Sequence, residues 1–357
     1  MAYKILAINP GSTSTKAALY EDDKPVLELT LRHSVEEIGQ FANIIDQMGW
    51  RRDLILQALQ EKGHKVEELS AVIGRGGLVK PIEGGVYEVN DVLKHDLIHT
   101  ERHHASNLGG LIADEIARVA GVKAYIADPV VVDEMIPEAR YTGIPECPRV
   151  SIFHALNQKA TARIYAKQVG KRYEDLNLIV AHMGGGISVS AHRKGRVIDT
   201  NNALTGDGPF SPERAGSLPA DELLTLCYSG KYTKAELLRM IAGKGGLVAH
   251  LGTSSVQEIC EVRIEKENDD HARQVMEAMC FAIAKNIGGM ATILCGKVDA
   301  IILTGGIAYN DYVNVRVKEA CEFIAPVHIY PGENELEALS MNALMVLRGE
   351  IDPKVYM

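Results

Sequence analysis

Two stretches of this chain share one layout: an apolar strand, a turn of small residues and a return strand. In the first, Tyr3 to Asn9 alternates and is rich in β-formers, P-G-S-T-S-T supplies the turn, and Lys16 to Tyr20 is extended again. A third strand, Val26 to Leu31, can follow. In the second, Leu178 to His182 runs into M-G-G-G, Ile187 to His192 returns, and a further strand spans Arg196 to Thr200. Aligning Gly11 with Gly185, an offset of 174 residues, also pairs Ala7 with Ala181 and Ser14 with Ser188. A chain of 357 residues is longer than one hydrophobic core usually serves. The expectation is therefore two related domains, each opening with this unit.

Helical periodicity fills the intervals. Asn43 to Lys62 repeats its apolar positions at 3.6-residue spacing, and Leu108 to Ala120, Ile152 to Val169 and His271 to Leu294 read the same way. Strand signals lie at Ala71 to Ile73, Lys123 to Ala127, Ala300 to Leu303 and Val327 to Tyr330. Strands alternating with helices indicate an α/β fold. No low-complexity linker separates the halves, so the domains are expected to share a hinge and a common cleft. The loop Tyr141 to Val150, with T-G-I-P-E-C-P, sets the expected boundary: one domain over 1–150 and a second over 151–334. The C-terminal helix, within 335–357, is expected to pack back on the first.

Composition excludes several partners. A net charge of −9 and 5% aromatic residues give neither a basic track nor stacking platforms for nucleic acid. The N-terminus lacks a signal-peptide layout and no apolar run suits a membrane span, so a cytoplasmic protein is expected. The six cysteines are scattered without a C-x-x-C pair and read as buried structural thiols.

Three turns carry chemistry. N-P-G-S-T-S-T-K (Asn9 to Lys16), H-M-G-G-G-I-S (His182 to Ser188) and T-G-G-I (Thr304 to Ile307) each follow an apolar strand. Glycines there let backbone N–H groups approach a phosphate, and hydroxyls add donors. The P-loop, the G-x-G-x-x-G fingerprint and the H-R-D and D-F-G elements are all missing. As single residues, Asp128 before a proline can be a strand-end cap, His154 a hydrogen-bonded core histidine, and Arg214 beside Glu213 a solvated ion pair. His99 and His103 have i, i+4 spacing but no third metal ligand in view.

The order N-P-G-S-T-S-T-K, S-A-V-I-G-R-G-G (Ser70 to Gly77), H-M-G-G-G and A-I-I-L-T-G-G-I resembles the acetate kinase (acetokinase) family along essentially the whole chain. The proline and threonines of the first loop resemble the family's butyrate kinases more than its acetate kinases. That superfamily, which includes sugar kinases, heat-shock ATPases and actin, implies two ribonuclease H-like domains (the actin-like ATPase duplication) around an interdomain cleft. It implies ATP and ADP as nucleotides, Mg2+ as the metal, a short-chain carboxylic acid as the other substrate, an acyl phosphate as product, and a homo-oligomer. By position in its motifs, Asn9, Ser12, Ser14 and Lys16 fall on the first phosphate loop. Arg75 and Arg214 match the two arginines, and Asp128 the essential acid. His103 and Asn107 match the substrate pocket, with His104 a rival for the histidine. His154 matches the histidine that steadies the transition state, and Glu335 a glutamate at the metal, shared with Asp128. Gly184, Gly185 and Gly186, with Gly305, Gly306 and Ile307, match loops around ATP.

Phosphoryl transfer needs positioning and positive charge, and a carboxylate is already a nucleophile at neutral pH. The roster meets that demand. The chain departs from acetate kinases at Ser254 to Glu258 (S-S-V-Q-E in place of D-F-R-D) and at G-I-A-Y-N, so adenosine contacts there are not carried over. Acetate, propionate or isobutyrate remains an alternative acid. An actin- or chaperone-like ATP switch is the alternative of another class. Asn9 stands where that class and the sugar kinases carry an acidic residue.

Overall fold

The computed structural model describes residues 2–100, 104–205 and 207–357. The chain forms two compact units, one comprising the residues up to Val132 with Asn334–Met357, the other Asp133–Glu333.

The first unit is built on a six-stranded sheet: β1 (Lys4–Pro10), β2 (Ser14–Glu21), β3 (Lys24–Arg32), β4 (Ala71–Arg75), β5 (Val86–Glu88) and β6 (Lys123–Ala127), in the order β3-β2-β1-β4-β6-β5. β1, β4 and β6 are parallel neighbours, whereas β2 and β3 fold back as an antiparallel meander. The central strands are buried on both faces, so β1 and β4 are almost wholly apolar, while the edge strand β3 alternates. The helix Leu108–Ala120 packs on β4 and β6. Its approach is close enough to dictate sequence: a Cβ on Gly74 would lie 2.0 Å from the Gly109 carbonyl oxygen.

The second unit repeats the plan with β7 (Asn177–Met183), β8 (Ile187–Arg193), β9 (Arg196–Thr200), β10 (Ala300–Gly305) and β11 (Val327–Pro331), ordered β11-β10-β7-β8-β9. Its main core helix, Asp270–Ile293, is started by the Asp269 carboxylate accepting from the Ala272 N–H and buries Met276, Met279, Ile283 and Ile287 against the sheet. Each unit thus has a three-strand meander followed by two parallel strands. Each is also closed by a helix that follows the other unit's last parallel strand in sequence. Ala155–Gln168, after β6, packs on β7 and β10; Glu335–Leu347, after β11, packs on β1 and β4.

The 174-residue offset survives in register as far as the first turn. The last parallel pair of β1 is Ile8 with Gly74, and that of β7 is His182 with Thr304. Beyond it the offset fails. Ile8 faces Ala17 across the first hairpin but His182 faces Ser188 across the second, so the first turn is three residues longer. Ser14 and Ser188 are therefore not equivalent.

Two further expectations need correction. The division falls after Val132 rather than near 150. Residues 133–150 belong to the second unit because Ile136 N–H donates to Ile198 O at 3.0 Å, and Arg149 pairs with Asp199 and Asp207, each at 3.0 Å. The loop Tyr141 to Val150 is not the boundary, because Arg149 ties it to the second unit. The cysteines also divide: Cys260, Cys280 and Cys321 are buried, but Cys147, Cys227 and Cys295 are exposed. Among the described residues no helix is long and apolar enough to cross a membrane.

Candidate active site

In open α/β sheets ligands gather at the carboxyl ends of parallel strands. In the first unit those ends carry Asn9 on β1, Arg75 on β4 and, one residue past β6, Asp128. Arg75 pairs with Ala127 across the sheet, which fixes Asp128 beside that edge. Glu335, the first residue of the closing helix, joins them: its Oε2 accepts from Arg75 Nη1 at 2.9 Å and from Asn9 Nδ2, while Arg75 Nη1 also reaches Asn9 Oδ1 at 3.4 Å. Residues 326 positions apart in the chain are thus within one hydrogen-bonded cluster. The Arg75–Glu335 pair retains side-chain exposure of 26% and 19%, so the guanidinium is open to an incoming anion.

Asp128 is 1% exposed and sits in the left-handed region at φ 39°, which disfavours a residue with a Cβ. Its Oδ1 accepts from Gly85 N–H at 2.7 Å, and its own N–H donates to Gly85 O at 3.1 Å. The cap anticipated from Asp-Pro is present, held in a strained conformation. Asn107 is buried, and its Oδ1 accepts from Leu78 N–H at 2.8 Å, bracing the G-G-L segment behind Arg75. His103 lies outside the described residues. Its rival His104 bonds Ser106 through Nδ1 at 2.9 Å. Although the His104 side chain keeps solvent contact, desolvation first and the Arg75 charge second hold it below the ordinary imidazole range. His99 instead stacks on His95 and bonds the His95 carbonyl. Ser12 lies in the turn after β1, Ser14 begins β2, and Lys16 is exposed on β2 directly opposite Asn9.

In the second unit, Gly184, Gly185 and Gly186 form the turn between β7 and β8, closed by Gly184 N–H donating to Gly186 O at 3.1 Å. Gly305 ends β10 at φ 90°, where a Cβ would lie 2.4 Å from Met183 O, so only glycine fits. The two turns line a cavity of about 660 Å³ with Gly306, Ile307, Glu213 and Ser254 to Gln257. Arg214 stands just outside that lining, 3.5 Å from Glu213 Oε2, so the anticipated ion pair is present. Its buried Nε has no hydrogen-bond partner among the described residues, which is costly unless a ligand supplies one.

His154 immediately precedes the helix Ala155–Gln168 and stacks on His182, with ring centroids 3.7 Å apart and planes 11° from parallel. His182 stands in the H-M-G-G-G motif, where the family resemblance gives it no role. It is buried, contacts Asn157 Oδ1 at 2.8 Å through Nδ1, and lies 3.3 Å from Glu333 through Nε2. Behind His154 runs a buried relay. Ser188 Oγ is 2.9 Å from His154 Nδ1 and accepts from Gln158 Nε2 at 2.8 Å. Gln158 Oε1 lies 3.0 Å from His192 Nε2, and His192 Nδ1 lies 2.7 Å from the Tyr173 hydroxyl. An amide oxygen only accepts, so His192 Nε2 carries a proton. Burial, then the charges of Lys159 and Arg163, push His192 well below the ordinary imidazole range, so the ring is neutral and its Nδ1 accepts from Tyr173. Glycine-flanked motifs were legible in the sequence; this relay was not, because each member looks like an ordinary core polar residue.

The profile of the acetokinase family matches residues 149–340. A probable butyrate kinase of Bacteroides thetaiotaomicron is 54% identical over 354 residues, covering 99% of both chains. Butyrate kinase 2 of Clostridium acetobutylicum is 53% identical over 357 residues, covering all of both. Among solved structures, Porphyromonas gingivalis acetate kinase superposes with a TM-score of 0.77 at 20% identity, over 97% of this chain and 100% of that one. A propionate kinase from Francisella tularensis gives 0.72 at 18% identity, over 95% and 98%. These two likenesses show that the chain shares the two-sheet α/β fold of those acetate and propionate kinases.

Proposed function

This chain belongs to the acetokinase family, and on that premise we propose that it transfers the terminal phosphoryl group of ATP, reversibly and in line, to the carboxylate of butyrate. The observation that carries the reading is the cluster of Asn9, Arg75 and Glu335 at the carboxyl edge of the first sheet, in a chain similar throughout to proteins named butyrate kinase.

The acid arrives ionised, so no strong base is required. Arg75 presents a fork suited to a carboxylate or a phosphoryl group, and Arg214 adds a second cation with an unsatisfied buried N–H. Charge spreading over the moving phosphoryl group favours both. His154, backed by Ser188, is the assigned donor that steadies that charge. His103 or His104, with Asn107, is assigned to the acid pocket. The glycine turns at Gly184 to Gly186 and Gly305 to Ile307 offer backbone N–H groups to the nucleotide. Glu213, Glu261 and Glu333 on the cavity wall suit hydroxyl donors such as a ribose rather than phosphates.

Asp128 and Glu335 are assigned to magnesium. Among the described residues no three His, Cys, Asp or Glu side chains group as a metal cage. Magnesium keeps several waters and binds through one or two carboxylates plus phosphate oxygens. The bound ion would neutralise charge on the terminal phosphates. The helix Ala220–Tyr228 buries none of its residues and leaves Leu224 and Tyr228 exposed, which motivates assigning a homo-oligomer, checked by light scattering. A cytoplasmic location is proposed with it.

The test is ADP release with and without butyrate. Acid-dependent turnover is expected; acid-independent hydrolysis would point instead to an ATP-driven switch. Butyrate exceeds acetate by two methylenes, each contributing about 0.8 kcal/mol when buried, so kcat/KM should favour butyrate by roughly 10- to 20-fold. Beyond about five carbons the fall should be steeper, since overlap with a closed pocket end is worse than a lost contact. An optimum at acetate would overturn the choice of acid and leave the acyl kinase standing.

A further inference from the structure

Arg51 lies in the helix Met48–Glu61 and is 1% exposed, the largest fully buried side chain among the described residues. Its head group is spent almost entirely on the turn between β1 and β2. Nη1 donates to Gly11 O at 2.8 Å, to Ser14 O at 3.3 Å and to Thr15 Oγ1 at 3.1 Å; Nη2 donates to Ser12 O at 3.3 Å. Gln47 Oε1 takes the remaining donors, Nε at 3.1 Å and Nη2 at 2.8 Å. No carboxylate pairs with this guanidinium among the described residues. Burial alone lowers it to about 10, with no acidic neighbour to restore it, and its charge in turn depresses His33 after burial has done so first. An unpaired buried charge is expensive and calls for a compensating anion.

The turn shows where that anion would sit. Every carbonyl from Gly11 to Ser14 is used internally. Gly11 O and Ser12 O accept from Arg51, Thr13 O accepts from His33 N–H at 2.9 Å, and Ser14 O accepts from Arg51 and from Gly11 N–H at 2.7 Å. Thr15 Oγ1 accepts from Arg51 and lies 2.8 Å from His33 Nε2. Among the described residues the backbone N–H groups of Ser12 and Thr13 find no acceptor, and both residues are exposed. The turn therefore turns its acceptors inward and its donors outward, over a buried positive charge.

We propose that Arg51 is a positioning residue that holds this turn in a donors-out conformation and gives it the positive potential that selects a phosphoryl group. The assignment rests on the function proposed above and deepens it, since it names what makes the first loop an anion site. Arg51 acts through the loop and touches no substrate.

The test compares ligands that differ by a phosphoryl group. Binding of butyryl phosphate, butyrate and ADP is measured by calorimetry for the native protein, Arg51→Met and Arg51→Lys. Loss of the buried cation should weaken butyryl phosphate about tenfold or more, leave butyrate and ADP within about twofold, and be partly restored by lysine. Retained ADP affinity shows that the variant is folded; if methionine abolishes folding, the lysine variant decides, with an intermediate loss for butyryl phosphate alone. Inorganic phosphate is titrated in parallel and needs no acyl pocket. A failed choice of acid therefore shows up as absent butyrate-dependent ADP release with the phosphate difference intact. Unchanged butyryl phosphate and phosphate affinity, or equal weakening of all ligands in both variants, overturns the role of Arg51.

Discussion

The turn after β1 and the turn after β7 occupy the same position in two sheets that share a five-strand order, β5 being an extra edge strand of the first, yet they offer a ligand different things. The first is three residues longer between equivalent positions and carries hydroxyls, a carboxamide and, beneath it, a guanidinium. The second is three glycines with two stacked imidazoles beside it. Around the first, charges cluster: Arg75 and Glu335 at the strand ends, Arg51 below. Around the second lie backbone and the two stacked imidazoles, with the Glu213–Arg214 pair beside them and Glu333 3.3 Å from His182. The two turns of a duplicated scaffold are thus divided in kind: the first carries hydroxyls over a buried cation, and the second is glycine backbone beside stacked rings, with Arg214 as its nearby cation.

The division is broken most directly by removing charge. Arg75→Ala should lower kcat/KM by at least about 100-fold, because a cation facing the transition state is lost. Arg214→Ala should do the same, and normal kinetics in either folded variant removes that arginine from the site. Next in size, His154→Ala should lower kcat by about 10- to 100-fold with little change in KM for ATP. Gln158→Leu, which cuts the relay behind it, should cost kcat a smaller factor and shift the pH–rate profile, an effect that packing alone would not produce. Glu335→Gln should raise the magnesium concentration needed for half-maximal rate; an unchanged titration leaves Asp128 or water holding the ion.

The smallest effect concerns stability. His192 is buried neutral, so its folded pKa is depressed below the unfolded value near 6.5. As pH falls below that value the unfolded chain binds a proton that the folded chain refuses, and stability declines until the folded pKa is reached. His33, depressed by burial and then by Arg51, adds to the same window. His192→Gln should flatten the fall in thermal midpoint between pH 7 and 5, and an identical slope would show that other groups set it.

Much of this was legible in the sequence because glycines and apolar strands leave strong local marks. β1, β7 and β10 read as apolar runs ending in small residues, with Asn9 and the glycine turns at those ends and Arg75 at the end of β4, whereas Glu335 is named by the family resemblance alone. What escaped is long-range or depends on burial. A single arginine in a polar helix looks like a surface charge, and nothing local reveals that Arg51 points under a turn some forty residues earlier. Arg149 hid the true division in the same way, since its partners Asp199 and Asp207 lie beyond the loop it anchors. The pairing of Ser14 with Ser188 failed because identity says nothing of turn length.

The exchanged closing helices constrain the order in which the protein can be made. A ribosome delivers all six strands of the first sheet well before the helix that covers β1 and β4, which belongs to the last 24 residues, Asn334–Met357. Until those residues emerge, apolar strands at the heart of the first sheet lack their final cover, while the second unit already holds its own closing helix in Ala155–Gln168. The half that is synthesised first is the half completed last. Premature release of the nascent chain before Asn334 would therefore strand the first unit unfinished and the second one whole.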